Sequence, residues 1–322
     1  MQKYIESRKS LVYILILNYK CADETIACLD SIQTNITDSD YRIIILDNDS
    51  ADGSFERLSK YVMESSTKED LNRCEQNRIK LIQNDVNYGY ANGNNVGIKI
   101  ALDEGADYIC IVNPDVIVEE DFLTELVNIM DKDSTIGIIG PASYDSDTPD
   151  LCSGCGVMIG KFSGYSIILN SGMRFEEINS KSYDCDYLCG MCIIIRSDVI
   201  KKIGFIPEEY FLFYEETEWC MKCHKAGYRC VANSGVKVIH KGSFTVDQAS
   251  NGKVNLHNYY LYRNRIVFQK RNRPFSIYVL FLLYYIIEII YERVKGHYTR
   301  EVWKAYIDGI SGRDRLHHII KK

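Results

Sequence analysis

In Asp107-Tyr108-Ile109-Cys110-Ile111-Val112-Asn113-Pro114-Asp115 an unbroken apolar run stops at a polar tripeptide. The run reads as a strand buried on both faces, and the tripeptide delivers a carboxylate to the rim of a sheet. In open α/β sheets ligands bind at the rim formed by the C-terminal ends of the strands. Asp115 thus stands where a metal-bound diphosphate can be held, because cations that bridge phosphates take carboxylate oxygens.

The flanking sequence supplies the rest of such a sheet. Upstream, Leu11 to Leu17 is a buried strand followed by a helix over Cys21 to Gln33. Tyr41 to Leu46 is another strand, closed by Asp47-Asn48-Asp49-Ser50 and followed by a helix from about Asp52 to Val62. Arg78 to Gln83 reads as a short strand, and Tyr88 to Leu102 as a helix entered through glycines and asparagines. Downstream, Glu119 to Met130 is helical, and Ile136 to Ile139 returns to the sheet and stops at Gly140-Pro141. The alternation predicts parallel strands joined by right-handed crossovers, a nucleotide-binding half over residues 1–140.

Ala142 to Tyr183 loses this rhythm around its glycines and reads as an irregular β-rich insertion bearing an acceptor site. Regularity resumes with a strand-like run over Asp186 to Arg196, a short helix over Ser197 to Ile203, and a helix over Glu215 to Ala226 closed by Gly227. Val236 to Ile239 is a strand ending at His240. Residues 141–252 form the acceptor-binding half of a single domain over 1–252, and 253–322 a basic helical extension. Within that extension Phe275 to Tyr291 is 17 residues with one charge, Glu288. A spanning helix needs about 20 apolar residues, so this segment is expected to pack on the body, dimerise or lie at a bilayer surface.

Composition narrows the functional classes. The net charge of −6 conceals 14 Lys/Arg against 5 Asp/Glu beyond residue 252, hence +9 there and −15 in the body. An acidic body excludes general nucleic-acid binding, while the tail suits an anionic contact. The polar N-terminus and short first apolar run do not read as a signal peptide, and the 12 scattered cysteines read as reduced thiols in a cytoplasm. Of three Cys-x-x-Cys pairs, Cys152/Cys155, Cys189/Cys192 and Cys220/Cys223, the second enters a strand-like run and the third lies in a helical pattern, which argues against zinc knuckles.

Polar clusters recur at strand ends: Asn18-Tyr19, Asp47-Asn48-Asp49 and Asn113-Pro114-Asp115. Singly, Asp-Asn-Asp-Ser is a capping turn; three clusters at one rim give base, ribose and phosphates separate polar partners. The helix entry Asn87 to Asn95 adds glycines that admit close backbone approach and the amides of Asn94 and Asn95. No GxGxxG or P-loop pattern occurs, which argues against a dehydrogenase or a kinase. Glu215-Glu216-Thr217-Glu218 follows Tyr210-Phe211-Leu212-Phe213-Tyr214. Its carboxylates complement a helix dipole, and crowding with partial burial also raises a carboxylate's pKa toward that of a general base. His240, at a strand end, can complete a metal shell beside a carboxylate.

In order and spacing these clusters resemble family 2 glycosyltransferases, particularly rhamnosyltransferase-like members. The matching text is the first strand with its Asn-Tyr, Asp47-Asn48-x-Ser50, Asn87-x-Gly89 to Asn94-Asn95-x-Gly97, Asn113-Pro114-Asp115, Thr217-Glu218-Trp219-Cys220, Ala226-Gly227-Tyr228, His240 and Tyr262-Arg263-Asn264-Arg265. The resemblance implies an α/β GT-A (nucleotide-diphospho-sugar transferase) fold with a mostly parallel central sheet flanked by helices. It implies that Asp47 binds the base, with Asn18, Asn48, Asn94, Asn95 and Asn113 around the nucleotide sugar and Arg263 near the leaving group. Asp115 takes the metal position of the DxD motif, with Mg²⁺ or Mn²⁺ on the diphosphate and His240 in support. The catalytic base, usually Asp, falls on Glu216, with Glu215 and Glu218 as alternatives. The implied reaction is inverting transfer of rhamnose or a hexose from a dTDP- or UDP-sugar to a surface-polysaccharide or lipid-linked glycan. It is placed in the cytoplasm or at the inner face of the membrane, with the tail as a peripheral membrane or homodimer contact. The rival readings are a sugar nucleotidyltransferase, whose Gly-rich basic loop is missing after the first strand, and an inactive nucleotide- or partner-binding scaffold.

Overall fold

Alternating side chains on β1 (Leu11–Asn18) divide the interior in two. Leu11, Tyr13 and Leu15 enter one core, and Val12, Ile14 and Ile16 the other, as the period-two geometry of a strand requires. Both cores are apolar, so the sheet is covered on both faces. The computed structural model describes residues 8–68, 78–160, 165–179, 181–242, 256–295 and 300–314.

Helix α1 (Ala22–Asn35) is followed by β2 (Asp40–Asp47), α2 (Ser54–Lys68), β3 (Ile79–Gln83), α3 (Gly89–Asp103), β4 (Tyr108–Val112), β5 (Val116–Ile117) and α4 (Phe122–Lys132). Then come β6 (Ile136–Asp145), β7 (Thr148–Gly154), β8 (Val157–Ile159), β9 (Ser166–Ile168), β10 (Ser182–Asp184) and β11 (Cys192–Arg196). The chain continues through α5 (Ser197–Ile203), α6 (Glu215–Lys225), β12 (Arg229–His240), α7 (Leu256–Asn272), α8 (Phe275–Val294) and α9 (Arg300–Ser311). The main sheet runs β10-β12-β6-β11-β4-β1-β2-β3, with β5 paired to β12 and β7 to β6. Strands β4, β1, β2 and β3 are mutually parallel, and β11 inserts antiparallel between β4 and β6. The chain order therefore reverses beside β1, and Asn18, Asp47 and Asn113 all lie at that end of the strands.

Elements that differ from their sequence reading include β12, which starts at Arg229 rather than Val236, and β11, which occupies only Cys192–Arg196 of the run from Asp186. Strand β6 does not stop at Gly140-Pro141 but continues to Asp145, pairing with β12, whose register shifts between Asn233 and Lys237. Pro141 lies where that irregularity begins, the position in a sheet at which proline is tolerated. Helix α4 begins at Phe122 rather than Glu119, because the Asp121 carboxylate accepts from Thr124 N at 3.0 Å and fixes the helix start. Further upstream Val116 and Ile117 form β5, where Val116 pairs with His240 and Ile117 with Ile239.

The C-terminal helices are tied to the body by polar contacts as well as apolar ones. Asn264 on α7 donates to the carbonyls of Tyr210, Leu212 and Phe213 at 2.9, 2.6 and 3.0 Å. Arg265 pairs with Glu288 of α8 at 3.1 Å, both largely buried. Tyr259 donates to Asp308 of α9 at 2.8 Å. Residues 253–255, 296–299 and 315–322 of the expected basic extension lie outside the described residues. Among the described residues no helix is long and apolar enough to cross a membrane.

Candidate active site

A cavity of about 330 Å³ opens at the C-terminal rim of the sheet, lined among others by Asn113, Asp115 and His240 on one side and Glu215 and Glu216 on the other. Tyr90, Gly190 and Leu261 also contribute. The acidic tripeptide and the acidic helix, about a hundred residues apart in sequence, thus face one space.

Asp115 and His240 meet because β5 pairs with β12. His240 Nε2 lies 3.2 Å from Asp115 Oδ2, and Lys241 N donates to the Asp115 carbonyl at 3.0 Å. Burial alone would lower the His240 pKa, but its hydrogen bond to the Asp115 carboxylate carries it above the ordinary histidine value. Asp115 Oδ1 is buried and has no hydrogen-bond partner. A buried carboxylate oxygen left unpaired at a cavity wall suits a cation, and a carboxylate, an imidazole and phosphate oxygens form an acceptable shell for Mg²⁺ or Mn²⁺. Among the described residues no group of three His, Cys, Asp or Glu could hold a metal by protein ligands alone. A substrate-bridging ion needs no such group.

The three glutamates of α6 have different environments. Glu218 is locked to Arg271 at 2.9 Å and to Asn272 at 3.1 Å, and it accepts from the Tyr210 hydroxyl. Burial pushes its pKa up, yet these bonds hold it below the usual carboxylate value, and it does not line the cavity. Glu215 is buried with Oε2 unpartnered; burial first, and the neighbouring Glu216 charge second, push it well above the usual range. Glu216 is half-buried at the cavity wall. Burial raises its carboxyl to about 7, while its own backbone N–H and a hydrogen bond with Tyr90 pull the other way.

Two residues that the sequence reading did not single out hold Glu216. The Tyr90 hydroxyl, in hydrogen-bond contact with Glu216, donates to the Gly190 carbonyl at 2.8 Å. A Cβ on Gly190 would stand 1.8 Å from Glu216 Oε1, so only glycine leaves room for the carboxylate as placed. Asn264 acts one step further away, by binding the carbonyls of the segment that precedes α6. In that segment Phe211, Phe213 and Tyr214 have φ of 62, 66 and 74°, a left-handed conformation costly for aromatic residues. Gly89 is packed on the same segment, since a Cβ there would lie 2.9 Å from the Phe211 ring.

The remaining residues predicted from sequence fall into a buried scaffold beside the cavity. Asn18 donates to Asp47 Oδ1 at 2.6 Å and accepts from Thr25 at 2.9 Å, while Ser50 bonds both oxygens of Asp47. Asn48 links the turn to the α3 entry through Asn84, Asn87 and Tyr88 N, at 3.1, 2.8 and 3.1 Å. Asn94 donates to the Tyr90 carbonyl at 3.0 Å, and Asn95 exchanges hydrogen bonds with the Ile206 backbone at 3.0 Å. Arg263 is buried, donating to the Arg313 carbonyl at 2.7 Å and to Asn264 at 2.5 Å. Of the residues expected around the nucleotide sugar, the structure brings Asn113 to the cavity lining but not Asn18, Asp47, Asn48, Asn94, Asn95 or Arg263.

The model for Glycosyl transferase family 2 matches residues 13–204. A dTDP-rhamnosyl transferase, RfbF of Shigella flexneri, is 23% identical over 248 residues, 73% of this chain and 79% of that protein. The low-salt glycan biosynthesis hexosyltransferase Agl10 of Haloferax volcanii is 28% identical over 189 residues, 56% of this chain and 57% of that protein. The chain thus spans little more than half the length of the haloarchaeal relative. Among solved structures, GalNAc-T7 with UDP, GalNAc and Mn²⁺ superposes with a TM-score of 0.61 at 13% identity, over 91% of this chain and 59% of that one. Staphylococcus aureus TarS 1–349 with UDP-GlcNAc gives 0.58 at 14% identity, over 92% and 79%. The fold is GT-A, as the sequence resemblance implied.

Proposed function

The chain belongs to Glycosyl transferase family 2, and from that premise we propose that it moves a sugar from a nucleotide sugar to an acceptor hydroxyl in the cavity between Asp115 and Glu216. The observation that carries this reading is the contrast among the α6 glutamates. Glu216 alone combines a place on the cavity wall with a pKa near neutrality, the condition under which a carboxylate both accepts a proton and is regenerated. Glu218 is occupied by Arg271, and burial pushes the Glu215 carboxyl well above the usual carboxylate range.

Glu216 takes the proton of the acceptor hydroxyl as its oxygen attacks the anomeric carbon opposite the diphosphate, so the transfer inverts configuration. Tyr90 and Gly190 fix the carboxylate that receives the proton. Asp115 and His240 would hold a Mg²⁺ or Mn²⁺ ion, which when bound offsets charge on the diphosphate. Asp47, oriented by Asn18 and Ser50, is the residue we assign to the base. The donor class is a dTDP- or UDP-sugar carrying rhamnose or a hexose, by analogy with the relatives' names, and the acceptor a growing or lipid-linked glycan.

The test is turnover of the purified chain against a panel of nucleotide sugars with Glu216→Gln alongside. The variant should lose at least about a hundredfold in kcat, with nucleotide binding by calorimetry retained. Wild-type turnover preserved in that variant would remove Glu216 from the role.

A further inference from the structure

Helix α8 is apolar on all sides but buried on only one. Tyr278, Phe281, Tyr285 and Ile289 pack into a core with α7 and α9. On the opposite face Leu280, Leu283, Tyr284, Ile287, Ile290 and Val294 form a continuous exposed stripe at helical spacing, with Leu283 57%, Ile287 65% and Val294 82% exposed. A stripe of this length on a folded protein marks an interaction surface. Because the other face is committed to protein, the helix presents this stripe sideways along its length.

The charge distribution selects the occupant. Arg273 precedes the helix, and exposed Arg293 and Lys295 close it. Arg263, Arg265 and Arg271 are taken up in internal bonds, which leaves Arg293 and Lys295 as exposed cations at the end of the stripe, whereas residues 1–252 carry −15. A second copy seated across a twofold axis would set this positive segment against itself. An anionic bilayer attracts the segment and repels the body, which also sets the orientation. Exposed Tyr284, Tyr291 and Trp303 are the aromatic types that favour the level of lipid headgroups.

We propose that the α8 stripe seats the protein flat on an anionic membrane surface. The stripe reaches the cavity: the ring of Tyr284 lies edge-on to Tyr165 at 6.3 Å, and the next residue, Ser166, lines the cavity wall. Ile167 and Ile168 of β9 are exposed apolar residues close in sequence to Tyr165. An acceptor carried on a lipid would therefore meet the cavity at the membrane, a consequence that rests on the reading of the cavity as the transfer site.

Flotation of the full chain with vesicles of equimolar phosphatidylglycerol and phosphatidylcholine, without nucleotide sugar, tests the docking independently of catalysis. The wild type should float with these vesicles, fail to float with phosphatidylcholine alone, and lose binding as salt is raised. The Leu283→Glu/Ile287→Glu and Arg293→Glu/Lys295→Glu variants should each bind at least about tenfold more weakly with unchanged thermal unfolding. Equal binding to neutral vesicles, no binding at all, or undiminished binding by the Leu283/Ile287 variant overturns the proposal. A wild-type dimer that the same variant converts to monomer, with vesicle binding intact, assigns the stripe to a second copy instead. A Glu216→Gln enzyme that still turns over would leave the flotation result untouched.

Discussion

Gly190 and Glu216 are the pair on which the site's chemistry is most finely balanced. A methyl group on Gly190 would stand 1.8 Å from Glu216 Oε1, so Gly190→Ala forces the carboxylate out of its place. Displacement by an ångström costs about a hundredfold where geometry governs rate. We expect that loss in kcat with the donor KM little changed, read from initial rates; a fall in donor affinity alone would show that Gly190 serves binding. Burial of Glu216 has a second consequence. Its carboxyl titrates near 4.5 in the unfolded chain and near 7 in the folded one, so the fold binds the proton more tightly. Its stabilising contribution is complete below the lower value and is lost as pH rises through the upper one. Glu216→Gln should therefore match the wild type in stability at about pH 4 and exceed it by about 1–3 kcal/mol at about pH 8, measured by denaturant unfolding. A gap that does not change with pH would contradict the buried, protonated state.

Between elements, the segment before α6 shows why a site can be legible in its residues and hidden in its support. Glu215-Glu216-Thr217-Glu218 announces itself in sequence as acidic text after an aromatic run. Nothing there reveals that Phe211, Phe213 and Tyr214 take left-handed backbone, or that Asn264, some fifty residues on, binds three of the segment's carbonyls. The text around Asn264 drew attention to Arg263 instead, because a charge beside a leaving group is an obvious role and an amide beneath a strained turn is not. Similarly, β5 is two residues long and too short for any periodicity, yet its pairing with β12 is what brings His240 to Asp115. Gly140-Pro141 read as a stop because those residues punctuate isolated chains; an irregular partner strand overrode that preference. Asn264→Ala should leave the three carbonyls unbonded and destabilise the protein by about 2–4 kcal/mol. The denaturant midpoint should fall at an unchanged slope, and kcat should drop with it because Glu216 is carried by the freed segment. Loss of stability without loss of kcat would separate the turn from the catalytic geometry.

For the whole molecule, the parallel strands β2, β1 and β4 are readable because they are buried on both faces and show it as an apolar run ending in polar text, whereas β3, at the sheet edge, is only partly buried. The site is readable to the extent that those ends converge at the reversal of chain order beside β1. What sequence could not distinguish is which polar residues face a ligand and which hold the rim together, since Asn18 and Asn48 spend their amides on Asp47, Asn84 and Asn87. The distinction has a measurable consequence. A nucleotide diphosphate that bridges to Asp115 through a cation should bind the folded chain and not the unfolded one, so it raises apparent stability by about 2.7 kcal/mol at a hundred times its Kd. We expect the unfolding temperature to rise by a few degrees with UDP or dTDP plus Mn²⁺, and much less with either component alone or with a chelator present. Asp115→Ala should abolish the Mn²⁺-dependent part of the shift. Asp47→Ala, which opens a buried network, should lower the unfolding temperature even without ligand. A shift of equal size with and without Mn²⁺ would mean that the unpaired Asp115 oxygen faces the cavity for some purpose other than holding a cation on the diphosphate.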